Sequence, residues 1–206
     1  RTVPDMMPPC ARTLLPFVLG LWTLGAAPVP LSAKEPSSVV ARSLPATAGV
    51  RTFAETVLDA PAAKVAAVLA EPANFVPLFP AHSVEVLSSH GDRRVVSVEM
   101  RKPWPIGSVK WVEEVVSLED PQDHAFVVER TAQPGYFRRL VSRWRVEPLA
   151  DSDHERCRVT YDVSLELTRW APDWILRRNH LGGVKDTMER LRSLILTGQV
   201  TESAHQ

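Results

Sequence analysis

Six runs of alternating apolar and polar residues, followed by one long helical pattern, limit what this chain can fold into. The runs are HSVEVLSS (82–89), RRVVSVEMRK (93–102), GSVKWVEEVVSLE (107–119), HAFVVERT (124–131), YFRRLVSRWRVEPL (136–149) and RCRVTYDVSLEL (156–167). Successive side chains of a strand point to opposite faces, so alternation predicts strands with one face on a core and one in water. In 136–149 Tyr136, Leu140, Trp144 and Val146 share one face, and Arg139, Arg143 and Arg145 share the other. In 156–167 Val159, Tyr161, Val163, Leu165 and Leu167 align, and in 93–102 Val96, Val98 and Met100 do. The connections His90-Gly91-Asp92, Asp120-Pro121-Gln122-Asp123 and Gln133-Pro134-Gly135 carry turn chemistry. Links this short join antiparallel neighbours, and the six strands read as a meander.

Two patterns flank the meander. Upstream, RTFAETVL (51–58) reads as a first strand, and Pro61 opens a helix over AAKVAAVLA (62–70). A second short helical segment spans 71–80, whose Phe75, Val76, Leu78 and Phe79 are too many to leave in water. Downstream, Trp170, Trp174, Leu181, Val184, Met188, Leu191 and Ile195 recur at helical spacing and form one stripe. Arg177, Arg178, Lys185, Glu189 and Arg192 lie largely off it. Gly182 and Gly183 interrupt that helix, where each costs about 0.5–1 kcal/mol relative to alanine. Either they give room to something beneath the helix, or they mark a kink or a close packing contact. The fold class is therefore α+β: a seven-stranded antiparallel sheet, two short helices after its first strand, and a long C-terminal helix against one face.

The first 45 residues differ. They hold eight of the 18 prolines. Residues 14–27, LLPFVLGLWTLGAA, are apolar, preceded by Arg12 and followed by small residues ending at Ser32-Ala33. That order predicts a secretory signal peptide over 1–33, with Met6 or Met7 as the true start. The segment falls short of the roughly 20 apolar residues of a membrane span; an uncleaved N-terminal anchor is the alternative. Residues 34–49 read as a linker, 50–197 as the domain and 198–206 as a tail. The expected location is periplasmic or extracellular. Cys10 would leave with the signal, and Cys157 alone makes no internal disulfide. The chain is 45% hydrophobic and formally neutral. A nucleic-acid partner usually demands a basic balance or stripe, so none is expected.

No strong catalytic motif occurs: no H-E-x-x-H, G-x-S-x-G, P-loop, C-x-x-C or Rossmann glycine pattern. No cofactor or metal is implied, because no histidine has ligand spacing to a second ligand. His82, His90, His124, His154 and His180 read as solvated. The weak catalytic candidates are carboxylates whose strand parity can point inward. Glu113 and Glu114 are consecutive, so parity admits only one of them, and Glu129 with Arg130 raises the same question on the next strand. A carboxylate among apolar groups has a raised pKa and can act as an acid or base; pairing with an arginine is the structural alternative.

The residues VLDAPAAKVAAVLAEPANFVPLFP (57–80), where a strand runs into a Pro-initiated helix, SRWRVEPL (142–149) and the closing amphipathic helix carry a resemblance. The chain resembles the START-like helix-grip superfamily, SRPBCC, and within it the polyketide cyclase/dehydrase and coenzyme-Q-binding branch, over about residues 50–197. The resemblance implies a curved sheet wrapped around the long helix and a hydrophobic or amphipathic ligand held between them, such as a lipid, isoprenoid or quinone. The expected lining is Phe75, Phe79, Val98, Met100, Phe126, Tyr136, Trp144, Tyr161, Trp174, Leu181, Gly182 and Met188. Arg177, Arg178 and His180 read first as a solvated helix face; the alternative is that they meet an anionic head group near the opening, and a transient membrane contact is compatible with that. The alternatives are a cyclase, dehydratase or hydrolase using an inward carboxylate, and an envelope interaction module without a ligand, marked by an exposed apolar patch. The sequence leaves the oligomeric state open.

Overall fold

The computed structural model describes residues 38–101, 108–120, 124–150, 155–168 and 172–197. The expected signal peptide, His154, Trp170 and the tail lie outside the described residues. Eight strands form one sheet: β1 (Val40–Leu44), β2 (Val50–Leu58), β3 (Ser83–His90), β4 (Arg93–Arg101), β5 (Ser108–Asp120), β6 (Ala125–Ala132), β7 (Phe137–Pro148) and β8 (Cys157–Leu167). Their order is β1-β2-β8-β7-β6-β5-β4-β3, antiparallel throughout. The meander β3 to β8 runs across the sheet in chain order, as the alternation requires. Closing β8 against β2 brings the two ends of the domain together.

The strand count corrects the sequence expectation of seven. The extra strand, β1, lies within the stretch 34–49 expected to be a linker, and pairs from Val40↔Glu55 to Leu44↔Arg51. Gly49 makes the return possible. Its φ is +68°, and a Cβ there would stand 2.1 Å from the Leu165 carbonyl oxygen on β8. At the other edge Gly91, at φ +57°, turns β3 into β4 with His90 opposite Arg93.

Three helices follow the predicted segments: α1 (Ala62–Ala70), α2 (Phe75–Leu78, entered through a single 3₁₀ turn at Pro72–Asn74) and α3 (Asp173–Thr197). α1 buries Val65, Val68 and Leu69 and packs over β5, β6 and β7. Its end is capped from two sides. The Asn74 side chain donates to the Val68 carbonyl at 3.0 Å, and Arg94 on β4 donates to the Ala70 carbonyl at 2.6 Å. α3 packs on β2 and β1, and α2 bridges α3 and β3. Val184, Met188, Leu191 and Ile195 of α3 are buried in one core with Trp144, Val146, Val159, Val163, Phe75 and Leu78. No helix among the described residues is long and apolar enough to cross a membrane.

Candidate functional site

Strand parity puts four polar side chains of the central strands on the helix-covered face: Glu113 (β5), Arg130 (β6), Ser142 (β7) and Tyr161 (β8). All four are buried, Glu113 to 1% exposure and Arg130 to 6%. Glu113 and Arg130 are diagonal neighbours across the ladder, since Arg130 is opposite Val115 and Glu113 opposite Ala132. The Arg130 Nε donates to Glu113 Oε1 at 2.8 Å, and Arg130 Nη2 donates to the same oxygen. The other oxygen accepts from the Trp111 indole N–H at 3.0 Å. Both Glu113 oxygens are therefore engaged.

α2 closes the guanidinium from above. The Arg130 Cζ lies 4.0 Å from the Phe75 ring centroid and 4.1 Å from that of Phe79, and the two rings meet edge to face. Stacking over rings suits the weakly hydrated, planar guanidinium better than it would an ammonium. Next to the pair, Tyr161 stacks on Trp144 with centroids 3.8 Å apart, and its hydroxyl is hydrogen-bonded to Ser142. Burial pushes the Tyr161 phenol up to about 12, against the pull of Arg130 and of the Ser142 bond, so it stays protonated. The result is an island of hydrogen-bonding groups set among the apolar side chains of the core.

The expected site residues divide by position. Phe75, Val98, Trp144, Tyr161 and Met188 are buried together in the core, and Phe79, Met100, Phe126 and Tyr136 pack against its edge, partly buried. Leu181 is half-buried. Gly182 and Trp174 stand apart: both are exposed, Trp174 to 68%. Of the carboxylates, Glu113 is the inward one. Glu114 points out and pairs with Arg93 at 3.1 Å, and Glu129 points out toward Arg143. Trp111, Ser142 and Thr52 belong to the inner polar set without having been singled out. Trp111 shares the parity of Glu113 and Ser142 that of Trp144, so strand parity would have found both.

His180 corrects an expectation. His82, His90 and His124 are exposed as expected, whereas the His180 Nδ1 lies 2.8 Å from Thr52 Oγ1 on β2, partly buried. Burial pushes its pKa from 6.5 down to about 4. Above pH 6.5 the ring is neutral folded or unfolded, and its contribution to stability is complete. As pH falls from 6.5 toward 4 the unfolded chain takes up a proton that the folded one refuses, so that contribution is lost. The Tm of the wild type should therefore fall more steeply than that of His180→Gln across that window, and the two should run parallel above pH 7. Parallel curves throughout would mean that the ring is hydrated.

Two surface concavities lie away from the inner polar set. One, on the outer face of the sheet, is walled by the ion pairs Arg51–Asp162 and Arg143–Glu129; the other sits beside the start of α1 at Ala62, Phe126 and Pro148. Cys157 is fully buried, and burial raises its thiol to about 12, which leaves it unreactive. Among the described residues no cluster of His, Cys, Asp and Glu could hold a metal ion.

The family model for polyketide cyclase/dehydrase and lipid transport matches residues 50–195. No curated protein matches the sequence. Among solved structures, a STAR-related lipid transfer protein from Xanthomonas axonopodis superposes with a TM-score of 0.67 at 20% identity, over 80% of this chain and 97% of that one. Human StAR-related lipid transfer protein 5 gives 0.63 at 12%, over 78% and 83%. The Zhui aromatase/cyclase of Streptomyces sp. R1128 gives 0.53 at 18%, over 77% and 93%. At these identities the likeness is one of fold.

Proposed function

Because the chain belongs to the polyketide cyclase/dehydrase and lipid-transport family, we propose that it binds a hydrophobic or amphipathic small molecule, a lipid, isoprenoid or quinone, with the polar end at Arg130. The observation that carries this is the Glu113–Arg130 pair itself. Desolvating two charges costs several kcal/mol each, and apolar residues of similar volume often serve stability as well or better. A charged pair fixed under two phenylalanine rings, beside the Tyr161 and Ser142 hydroxyls, offers something a plain core lacks. It presents fixed donors to a carbonyl, hydroxyl or acid group, with apolar surface around them for the rest of the molecule. Each Å² of apolar ligand surface buried there is worth about 25 cal/mol. With both oxygens of Glu113 held by Arg130 and Trp111, that carboxylate orients Arg130 and presents no free oxygen to a ligand, which favours binding over catalysis. Export, inferred from residues 1–33, belongs to the same proposal and would place the ligand in an envelope or extracellular setting.

The interior is closed by packed side chains, so loading requires the roof to move. Phe75 and Phe79, at α2, close over Arg130, and α2 packs against α3. Gly182 and Gly183 lie in α3 just ahead of its buried residues Val184, Met188, Leu191 and Ile195, and a Cβ built at either meets no atom within 4 Å. Their absence of side chains therefore serves no close packing contact, and what they give the helix is reduced stiffness. Alanine at both positions is expected to raise stability by about 0.5–1 kcal/mol per site. The same substitutions should slow ligand uptake in stopped flow; unchanged uptake with raised Tm would show that the helix need not yield there.

Titration with a fluorescent long-chain fatty acid tests the binding reading. The expected result is saturable one-to-one binding, weakened at least tenfold by the paired substitution Glu113→Leu, Arg130→Met. Binding that never saturates, or that ignores the substitutions, contradicts it.

A further inference from the structure

The outer face of the sheet, turned away from the inner polar set, carries a hollow of about 530 Å³. Its floor is the cross-strand pair Val141 (β7) and Ser164 (β8), both short. The pairs on either side are long and charged: Arg143 opposite Asp162, and Arg139 opposite Glu166. Glu129 on β6, opposite Arg143, and Arg51 on β2, opposite Ser164, extend that rim. The turn between β1 and β2 adds an apolar wall of Pro45, Ala46 and Ala48. The hollow exists because short side chains lie between rows of long ones on one face of the pleat.

A β-bulge leaves one of these charges without a partner. The register of β7 on β8 passes from Phe137↔Leu167 to Arg139↔Glu166, so Arg138 is the extra residue. The Arg138 Nη1 donates to Glu166 Oε1 at 2.8 Å and so takes the carboxylate that faces Arg139. Asp162 accepts from both Nε and Nη2 of Arg51, and Glu129 faces the Arg143 Nε at 3.4 Å. Each carboxylate of the rim therefore has its own arginine. Arg139 is exposed and has no carboxylate partner among the described residues. Arg51, Arg138, Arg139 and Arg143 stand against Glu129, Asp162 and Glu166, an excess of one positive charge. A monoanion neutralises that excess, whereas a dianion would bring a charge to spare among three carboxylates. The planar guanidinium fork matches a carboxylate, and the Ser164 hydroxyl is a further donor. Val141 and the turn offer apolar surface to the rest of the molecule. We propose that this hollow binds a small soluble monocarboxylate with a compact apolar body, its carboxylate on Arg139. The site lies on the face opposite Arg130 and does not depend on what the interior binds.

Titration of the full chain with 3-phenylpropionate, followed by NMR, tests this. The expected result is saturable one-to-one binding with a Kd of about 1 mM or tighter. Arg139→Gln should weaken it at least tenfold, and the uncharged 3-phenylpropionamide should not bind. The paired substitution Glu113→Leu, Arg130→Met should leave it unchanged, and Arg139→Gln should keep the wild-type affinity for the fluorescent fatty acid. Loss at the hollow and loss in the interior are then separate results. Arg138→Ala should weaken binding at least fivefold, because Glu166 is then free to pair with Arg139. Adding Glu166→Ala should restore it to within about twofold, since the spare guanidinium returns. No saturation by about 10 mM, equal binding of the amide, or unchanged affinity in Arg139→Gln overturns the proposal. Loss in Glu113→Leu, Arg130→Met with none in Arg139→Gln also overturns it and assigns the acid to the interior. Wild-type affinity in Arg138→Ala removes the role of the bulge and overturns it as well.

Discussion

Arg130→Met is expected to destabilise the protein by about 3–5 kcal/mol, because it leaves the Glu113 carboxylate buried with only the Trp111 N–H for company. The methionine keeps much of the volume between Phe75 and Phe79, so the loss reports the unpaired charge more than a cavity. Glu113→Leu added to Arg130→Met removes the orphan as well. The double variant should recover most of the stability, and by the precedent of buried pairs replaced by apolar residues it can match the wild type. Urea unfolding measures all four corners of the cycle. A single variant that costs less than about 1 kcal/mol would mean that water reaches the pair, and the interior would then be far more open than the packing indicates.

Gly49→Ala should be the second damaging change, although the residue is only half-buried and lies outside the inner polar set. Its left-handed backbone alone costs a residue with a Cβ about 1–3 kcal/mol. The new methyl would also stand 2.1 Å from the Leu165 carbonyl oxygen, a backbone atom that cannot swing aside. Relief requires the turn between β1 and β2 to move off β8. The expected result is a loss of at least 2 kcal/mol in urea unfolding, at the upper part of that range, with faster amide exchange in β1 than in β3 to β8. Near-neutral stability would mean that β1 is not held to the sheet.

β1 is also where the sequence was least legible. Val40–Leu44 is five residues long, mostly exposed, and set among prolines and serines. Nothing local marks it as a strand; it is one only because β2 offers an edge and Gly49 turns the chain onto it. The meander and α3 were legible because each carries its own period over eight or more residues. At the site, parity reduced Glu113 and Glu114 to one inward carboxylate but could not choose, since both faces of 107–119 carry valines. The partner was hidden for another reason. Glu113 and Arg130 meet diagonally across β5 and β6, and that contact depends on a register no single strand encodes. His180 and Trp174 misled in opposite ways. His180 is expected in solvent yet reaches Thr52, because it stands one turn before Val184 on the helix face that lies against β2. Trp174 lies on the stripe yet meets solvent, because periodicity describes a helix face and not the extent of the surface that covers it.

Native mass spectrometry of the protein, purified from its own cells without detergent, reads the interior ligand without a labelled probe. A stoichiometric apolar adduct is expected, one that leaves on denaturation and is missing from the Glu113→Leu, Arg130→Met variant. A bare polypeptide mass, unchanged after incubation with vesicles of mixed lipids and quinones, would contradict it.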